Sequence, residues 1–176
     1  MNEKTIAVKR IYSGRVLDFE LLEVELEDGR RTEREVVRHH GAVGVLVRHQ
    51  DGRMLFVRQF RKPVDCHCLE IVAGLIEPGE TPEDCAVREL SEETGYVANS
   101  IEELGDVMLT PGYSDERIHL FFAEVDGSRR EQSLDPDEHV ELVAIDAQDI
   151  NRQVAEGIIT DGKTLAALLL YRIKLQ

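Results

Sequence analysis

Polar and apolar residues alternate through Glu23-Val-Glu-Leu-Glu27, the two-residue period of a strand with one wet face. Asp28-Gly29 offers a tight turn into 31–37, so the two segments read as a hairpin. A second apolar block, Ala42-Val-Gly-Val-Leu-Val47, turns at Asp51-Gly52 and returns as Met54-Leu-Phe-Val57. His39-His-Gly41 lies between the blocks and reads as a boundary, with an N-terminal β-strand subdomain over 1–38 and a main domain over 39–176. Further strands are expected at 104–109, 118–125 and 140–145.

The clearest helix runs from Pro82 to Thr94. Thr81 stands at the N-cap position, Pro82 at the first helical position, where a missing N–H costs nothing, and Asp84 three residues after the cap. Gly95 is the expected stop. Ala86, Val87 and Leu90 form its apolar stripe. Asp146 is expected to cap a second helix ending near Gly157, with Ile150 and Val154 inward. A last helix over 163–173 would turn Leu165, Leu168, Leu169 and Ile173 to one side. Strands mixed with a few helices, without regular strand–helix alternation, indicate an α+β fold.

At 176 residues the chain can hide roughly 70% of its unfolded surface. The longest apolar run, Leu165-Ala-Ala-Leu-Leu-Leu-Tyr171, falls far short of the roughly 18 residues a membrane span needs. Acids outnumber bases 35 to 21, and a net charge of −14 disfavours nucleic acid and anionic lipid as partners. A small anionic ligand remains compatible with that charge if divalent cations stand between. The start of the chain has no apolar export signal, and three cysteines is an odd number, so reduced thiols in a cytoplasm are expected.

Glu89, Glu92 and Glu93 stand at i, i+3 and i+4 and share one side of the first helix. Alone, such acids are most often a solvated helix face. Three clustered carboxylates are also what a hard divalent cation takes, and Mg²⁺ is typically held by one or two of them with substrate phosphates. Ahead of the helix stands Gly74-Leu-Ile-Glu-Pro-Gly-Glu80. From Gly74 the chain gives glycine, five residues, Glu80, seven residues, then Arg88-Glu89-Leu-Ser-Glu92-Glu93-Thr-Gly95-Tyr96. This resembles the Nudix box, the 23-residue loop–helix–loop signature of the Nudix hydrolases, with Tyr96 where an aliphatic residue is more usual.

The resemblance implies a mixed β-sheet between helices and hydrolysis of a nucleoside diphosphate joined to another group. Glu89 and Glu93 match the principal Mg²⁺ ligands, with Mn²⁺ as an alternative ion. Glu92 matches a further acid of the metal cluster and is carried as catalytic, and the Ala73 carbonyl matches a main-chain ligand. Gly74, Glu80, Arg88 and Gly95 match structural positions of the motif. Metals at such a site neutralise pyrophosphate charge and acidify water.

Gly14-Arg-Val-Leu-Asp-Phe19, the run from Val57 to Pro63, Glu70-Ile-Val-Ala-Gly74 and Thr110-Pro-Gly-Tyr-Ser-Asp-Glu116 resemble the ADP-ribose pyrophosphatase group, and Pro111 stands 16 residues beyond Gly95, as in that group. On this resemblance Arg61 contacts substrate phosphate. Phe19, Pro111, Ser114 and Glu116 belong to the substrate site, with a core place for Phe19 the competing reading. The implied reaction splits ADP-ribose into AMP and ribose 5-phosphate. GDP-mannose and other nucleotide sugars are the alternative substrates, and a non-catalytic ligand-binding regulator is the different-class alternative. The resemblance also implies a homodimer through the N-terminal strands. Glu138, in the acidic run 135–141, matches a loop position that gives a further metal ligand or the general base, although Pro136 replaces a glutamate that some relatives have. Other departures are Val72 and His40, where proline is common, and Cys66-His67-Cys68, read as ordinary thiols with a zinc cluster as the alternative.

Overall fold

The computed structural model describes residues 2–134 and 139–175 and comprises two units. The first holds the residues up to Gly41 together with 108–117. Its sheet runs in the order β1 (Glu3–Ser13), β2 (Leu17–Leu26), β3 (Arg31–His39), antiparallel throughout. The expected turn is present: the Gly29 N–H donates to Leu26 O, and Gly29 sits at φ 80°, a left-handed conformation that costs glycine little. Glu20, Leu22 and Val24 form the buried row of β2, following the alternation of the sequence. Every residue of β1 is exposed, which is why no periodic burial pattern announces it.

The second unit spans 42–107 and 118 to the C-terminus. It carries strands β4 (Ala42–His49), β5 (Arg53–Arg61), β6 (Cys66–Glu70), β7 (Val72–Leu75), β8 (Tyr96–Val107), β9 (Ile118–Arg129) and β10 (Val140–Asp146). Its helices are α1 (Pro82–Thr94), α2 (Ala147–Ala155) and α3 (Gly162–Leu175). The main path is β10-β5-β4-β9-β8, with β6 on β5 and β7 on β4. The β4–β9 pair is parallel and the other pairs are antiparallel, so the sheet is mixed.

The continuous apolar run of β4 follows from burial on both faces. Val43, Val45 and Val47 pack in one core with Cys85, Ala86 and Leu90 of α1. Ala42 and Leu46 pack in the other with Ile150 of α2 and with Ala167 and Tyr171 of α3. The sheet therefore lies between helices, as the α+β reading requires. Full burial of a side chain such as Leu90 contributes about 1.5–3 kcal/mol.

Several expectations need correction. The inward face of α3 is Thr164, Ala167 and Tyr171, whereas Leu169 and Ile173 are exposed; Tyr171 packs against Phe122 and sets that rotation. On α1, Val87 is exposed and Cys85 takes its place in the core. Asp146 caps α2 without a side-chain hydrogen bond. The strand expected at 104–109 is β8, which begins at Tyr96 and ends at Val107. Register shifts between Tyr96 and Ala98, Ala98 and Ser100, and Glu103 and Gly105 break the alternation that would have marked its first half. The Cys66 and Cys68 sulfurs lie 3.9 Å apart, and all three cysteines are free thiols.

Candidate active site

Pairing of β7 with β4 sets Gly74 opposite Val43 and Ala73 opposite Gly44. This lays the Ala73–Gly74 backbone beside α1. The helix starts where the sequence indicates: Thr81 Oγ1 accepts from Asp84 N at 3.1 Å, and its hydroxyl donates to Asp84 Oδ2 at 2.6 Å. Gly95 closes it at φ 75° and donates its N–H to Ser91 O.

The helix delivers two carboxylates to two adjacent backbone positions. Glu93 is 4% exposed, and its Oε2 accepts from Ala73 N at 3.3 Å. Glu89 lies over Gly74: a Cβ there would stand 1.9 Å from the Glu89 carboxyl carbon, so only glycine leaves the carboxylate its place. Glu92 joins through Arg88, whose Nη1 donates to Glu89 Oε1 at 2.6 Å and to Glu92 Oε2 at 3.0 Å.

Arg88 also donates Nε and Nη2 to Glu80, at 2.8 and 2.9 Å, and Nη2 to Leu75 O at 3.2 Å. One guanidinium thus ties the loop to three acids of the motif. Glu80 raises the Arg88 pKa most, with Glu89 and Glu92 adding to it. The Arg88 bonds in turn hold the Glu80 carboxyl down at about 2. Burial pushes the Cys85 thiol up to about 12, which makes it inert packing rather than a nucleophile.

The donors around Ala73, Gly74, Glu89, Glu92 and Glu93 are all hard oxygens, the type Mg²⁺ takes. In the chemistry of its donors the set Glu89, Glu92 and Glu93 fits such an ion. Arg88 holds Glu89 and Glu92 as ion pairs, so the acids stand ready oriented without converging on one point.

In the same unit, Arg61 at the end of β5 donates Nε and Nη2 to the two oxygens of Glu70, at 2.9 and 2.8 Å. Glu70 is 2% exposed. Its burial would raise the carboxyl, but bonds and charge from Arg61 and Lys163 outweigh that and hold it at about 2. Neither Glu70 as the partner of Arg61 nor Lys163 was marked by any spacing in the sequence.

Phe19, Pro111, Ser114 and Glu116 belong to the other unit. Phe19 is half-buried on β2 and stands opposite Val37 of β3. Val37 N donates to Tyr113 O, Asp115 N donates to Val37 O, and Ser114 forms a bridge with Val37. Ser114 Oγ accepts from Glu116 N at 3.1 Å, and Glu116 lies 3.6 Å from His39. Pro111 is exposed at the start of this loop. Sequence reasoning missed Asp115, which accepts from Arg38 Nη1 and from His39 N, both at 2.9 Å, and so pins the loop to β3. Glu138 lies outside the described residues.

The model of the NUDIX domain matches residues 38–168. The chain belongs to the Nudix family. Among Nudix relatives, the ADP-ribose pyrophosphatase of Bacillus subtilis (strain 168) is 40% identical over 175 residues, covering 99% of this chain and 95% of the relative. The methanol dehydrogenase activator of Bacillus methanolicus is 40% identical over 167 residues, covering 94% and 90%. A GDP-mannose pyrophosphatase of Yersinia enterocolitica is 35% identical over 139 residues, covering 74% and 72%. The crystal structure of an ADP compounds hydrolase superposes with a TM-score of 0.86 at 23% identity, covering 99% of this chain and 95% of that one, which establishes the shared Nudix fold.

Proposed function

We propose that this Nudix chain is a Mg²⁺-dependent hydrolase that adds water across the pyrophosphate of ADP-ribose, giving AMP and ribose 5-phosphate. The carrying observation is the Glu89 carboxylate laid over Gly74 beside Glu93 on Ala73. Relatedness over nearly the whole chain to an ADP-ribose pyrophosphatase supports the substrate. Glu89, Glu92, Glu93 and the Ala73 carbonyl would hold the ion, with Mn²⁺ a substitute. When bound, the ion supplies charge neutralisation at the pyrophosphate and acidifies water. Arg88 holds the carboxylates in their rotamers. Arg61 takes phosphate oxygens on the edge of its guanidinium that Glu70 leaves open. Glu92, and Glu138 of the acidic run, are the candidates to accept the proton of the attacking water. Phe19, Pro111, Ser114 and Glu116 receive the nucleoside or the terminal ribose.

The acidic surface, at net charge −14, fits a small-molecule partner and not a nucleic acid. The fully exposed β1, with Ile6, Val8, Ile11 and Tyr12 in the open, supports a homodimer formed through the first unit. Among the described residues no helix is long and apolar enough to cross a membrane. The three free thiols support a cytoplasmic setting. GDP-mannose is the second reading, favoured by relatives of that name. A panel of ADP-ribose, GDP-mannose and ADP-glucose with Mg²⁺, each repeated with EDTA, tests the proposal. The expected result is metal-dependent AMP release, fastest from ADP-ribose. Faster turnover of GDP-mannose would replace the substrate, and no turnover of any would favour a regulator.

A further inference from the structure

The segment Asp161-Gly-Lys-Thr164 at the head of α3 reaches back 93 residues in sequence to the β6–β7 junction. The Lys163 ammonium donates to Glu70 Oε2 and lies 3.1 Å from Asp161 Oδ1. Thr164 Oγ1 accepts from Ile71 N at 2.9 Å and donates to Asp161 Oδ2 at 2.6 Å. Lys163, Thr164 and Glu70 are all buried. Glu70 thus stands between two cations: Lys163 from inside the fold and Arg61 from the surface, the Arg61 side chain being 40% exposed.

A buried ion pair of this kind is weak evidence for stability, because apolar side chains of equal volume do as well. It does restrict geometry. A guanidinium is a rigid planar fork. With Nε and Nη2 given to the Glu70 carboxylate, Nη1 is left for another acceptor. Glu70, which holds Arg61, stands three residues before Ala73, whose N–H donates to Glu93, so the pair lies on the same stretch of chain as the motif carboxylates. If Glu70 lost its inner partner, its carboxylate could rotate, and the Arg61 fork would rotate with it.

We infer that Lys163 is a positioning residue: acting through Glu70, it orients Arg61 so that the free edge of the guanidinium meets the pyrophosphate of the substrate. This rests on the reading of Arg61 as the phosphate contact of a nucleoside diphosphate hydrolase. A misplacement of about 1 Å can cost on the order of 10²-fold in rate, so the loss of Lys163 is felt at the anion without any contact to it.

The test is a double-mutant cycle of Lys163→Met and Arg61→Gln, which isolates coupling between the two. Two quantities are read: KM for ADP-ribose, and the Kd of inorganic pyrophosphate with Mg²⁺ by calorimetry. Lys163→Met alone should weaken both by about 10-fold, a modest share of the loss a displaced clamp can cause. In the Arg61→Gln background it should change either by less than about twofold, the usual error of independent sites. Lys163→Arg should recover most of the single-variant loss. Equal losses in both backgrounds, or a Lys163→Met protein that binds as wild type, would overturn the inference. If Lys163→Met does not fold, Lys163→Gln replaces it in the cycle; if neither folds, the role of Lys163 is structural and the inference fails. Wild-type protein inactive on every nucleotide sugar would sink the functional reading, while the pyrophosphate cycle would still decide the positioning role. Wild-type protein that does not bind pyrophosphate removes the Arg61 clamp and this inference together.

Discussion

Gly74→Ala separates packing from chemistry at the loop–helix contact. The added methyl would lie 1.9 Å from the Glu89 carboxyl carbon and Oε1, and 2.4 Å from Oε2. Non-bonded carbon contacts begin near about 3.5 Å, so the carboxylate must retreat by roughly 1.6 Å. The retreat costs the fold little, because the colliding atoms are the end of a flexible side chain and Gly74 is not among the residues at positive φ. Alanine on a compatible backbone gains about 0.4–1 kcal/mol from the unfolded state. Loss of the Arg88–Glu89 pair, at a side chain 25% exposed, takes back about 0–1 kcal/mol. These nearly cancel, and Tm should move by no more than about 2–4 °C.

Activity should respond differently. A displacement of that size at a proposed metal ligand should cost at least about 10²-fold in turnover. The assay is AMP release from ADP-ribose over a Mg²⁺ titration, beside thermal melts followed by circular dichroism. Gly79→Ala is the control with the opposite signature. Gly79 sits at φ 86° with nothing within 4 Å of a new Cβ, so alanine there should cost about 1–2 kcal/mol of stability and leave turnover near wild type. A Gly74→Ala protein that turns over like wild type, or that melts well below it, would refute the argument that this glycine serves the carboxylate.

Two further outcomes are expected. Glu138→Gln should lose about 10²- to 10⁴-fold in turnover with little change in substrate binding, the range for a general base; Glu141→Gln, whose side chain is exposed and pairs with Arg58 on β5, should lose far less, and equal kinetics of the two would reject Glu138. Glu70, held at about 2 against 4.5 for a free carboxyl, contributes stability that is complete above about pH 4.5 and is lost as pH falls toward 2, on the order of 3 kcal/mol. Urea midpoints should therefore fall less steeply in Glu70→Gln than in wild type between those pH values, and parallel acid limbs would show that Glu70 does not carry the linkage.

The features legible in the sequence share one property: their physics is local. The cap at Thr81, the stop at Gly95 and the carboxylate face of α1 follow from spacings within a few turns, and the structure has them. The two-sided burial of β4 follows from its unbroken apolar run. What escaped depends on partners far along the chain. β1 has no buried face to impose a period. The rotation of α3 is set by Tyr171 against Phe122, which leaves Leu169 and Ile173 outside although their hydropathy says otherwise. Bulges in β8 scramble its alternation.

The same division separates the two halves of the candidate site. Gly74 and Glu89 are 15 residues apart, joined by one loop and two turns of helix, so a fixed spacing can encode their contact. Hence the motif reads as a motif. Arg61 reaches Glu70 across a single strand pairing, Arg61 opposite Cys66 on β6, and Glu70 reaches Lys163 only through the packing of α3 under the sheet. No spacing can carry that last link, because its length is set by everything folded between. Lys163 therefore looks in the sequence like an ordinary first-turn lysine, at the helix end where a cation is disfavoured by the dipole. Its burial at that unfavourable end calls for carboxylates beside it, and Glu70, with Asp161 two residues ahead, supplies them. The proposed anion contact is thus specified by a tertiary pair, and the proposed metal face by a local one. Substitutions in the loop and helix should act on metal dependence, and substitutions at the head of α3 on the hold on pyrophosphate.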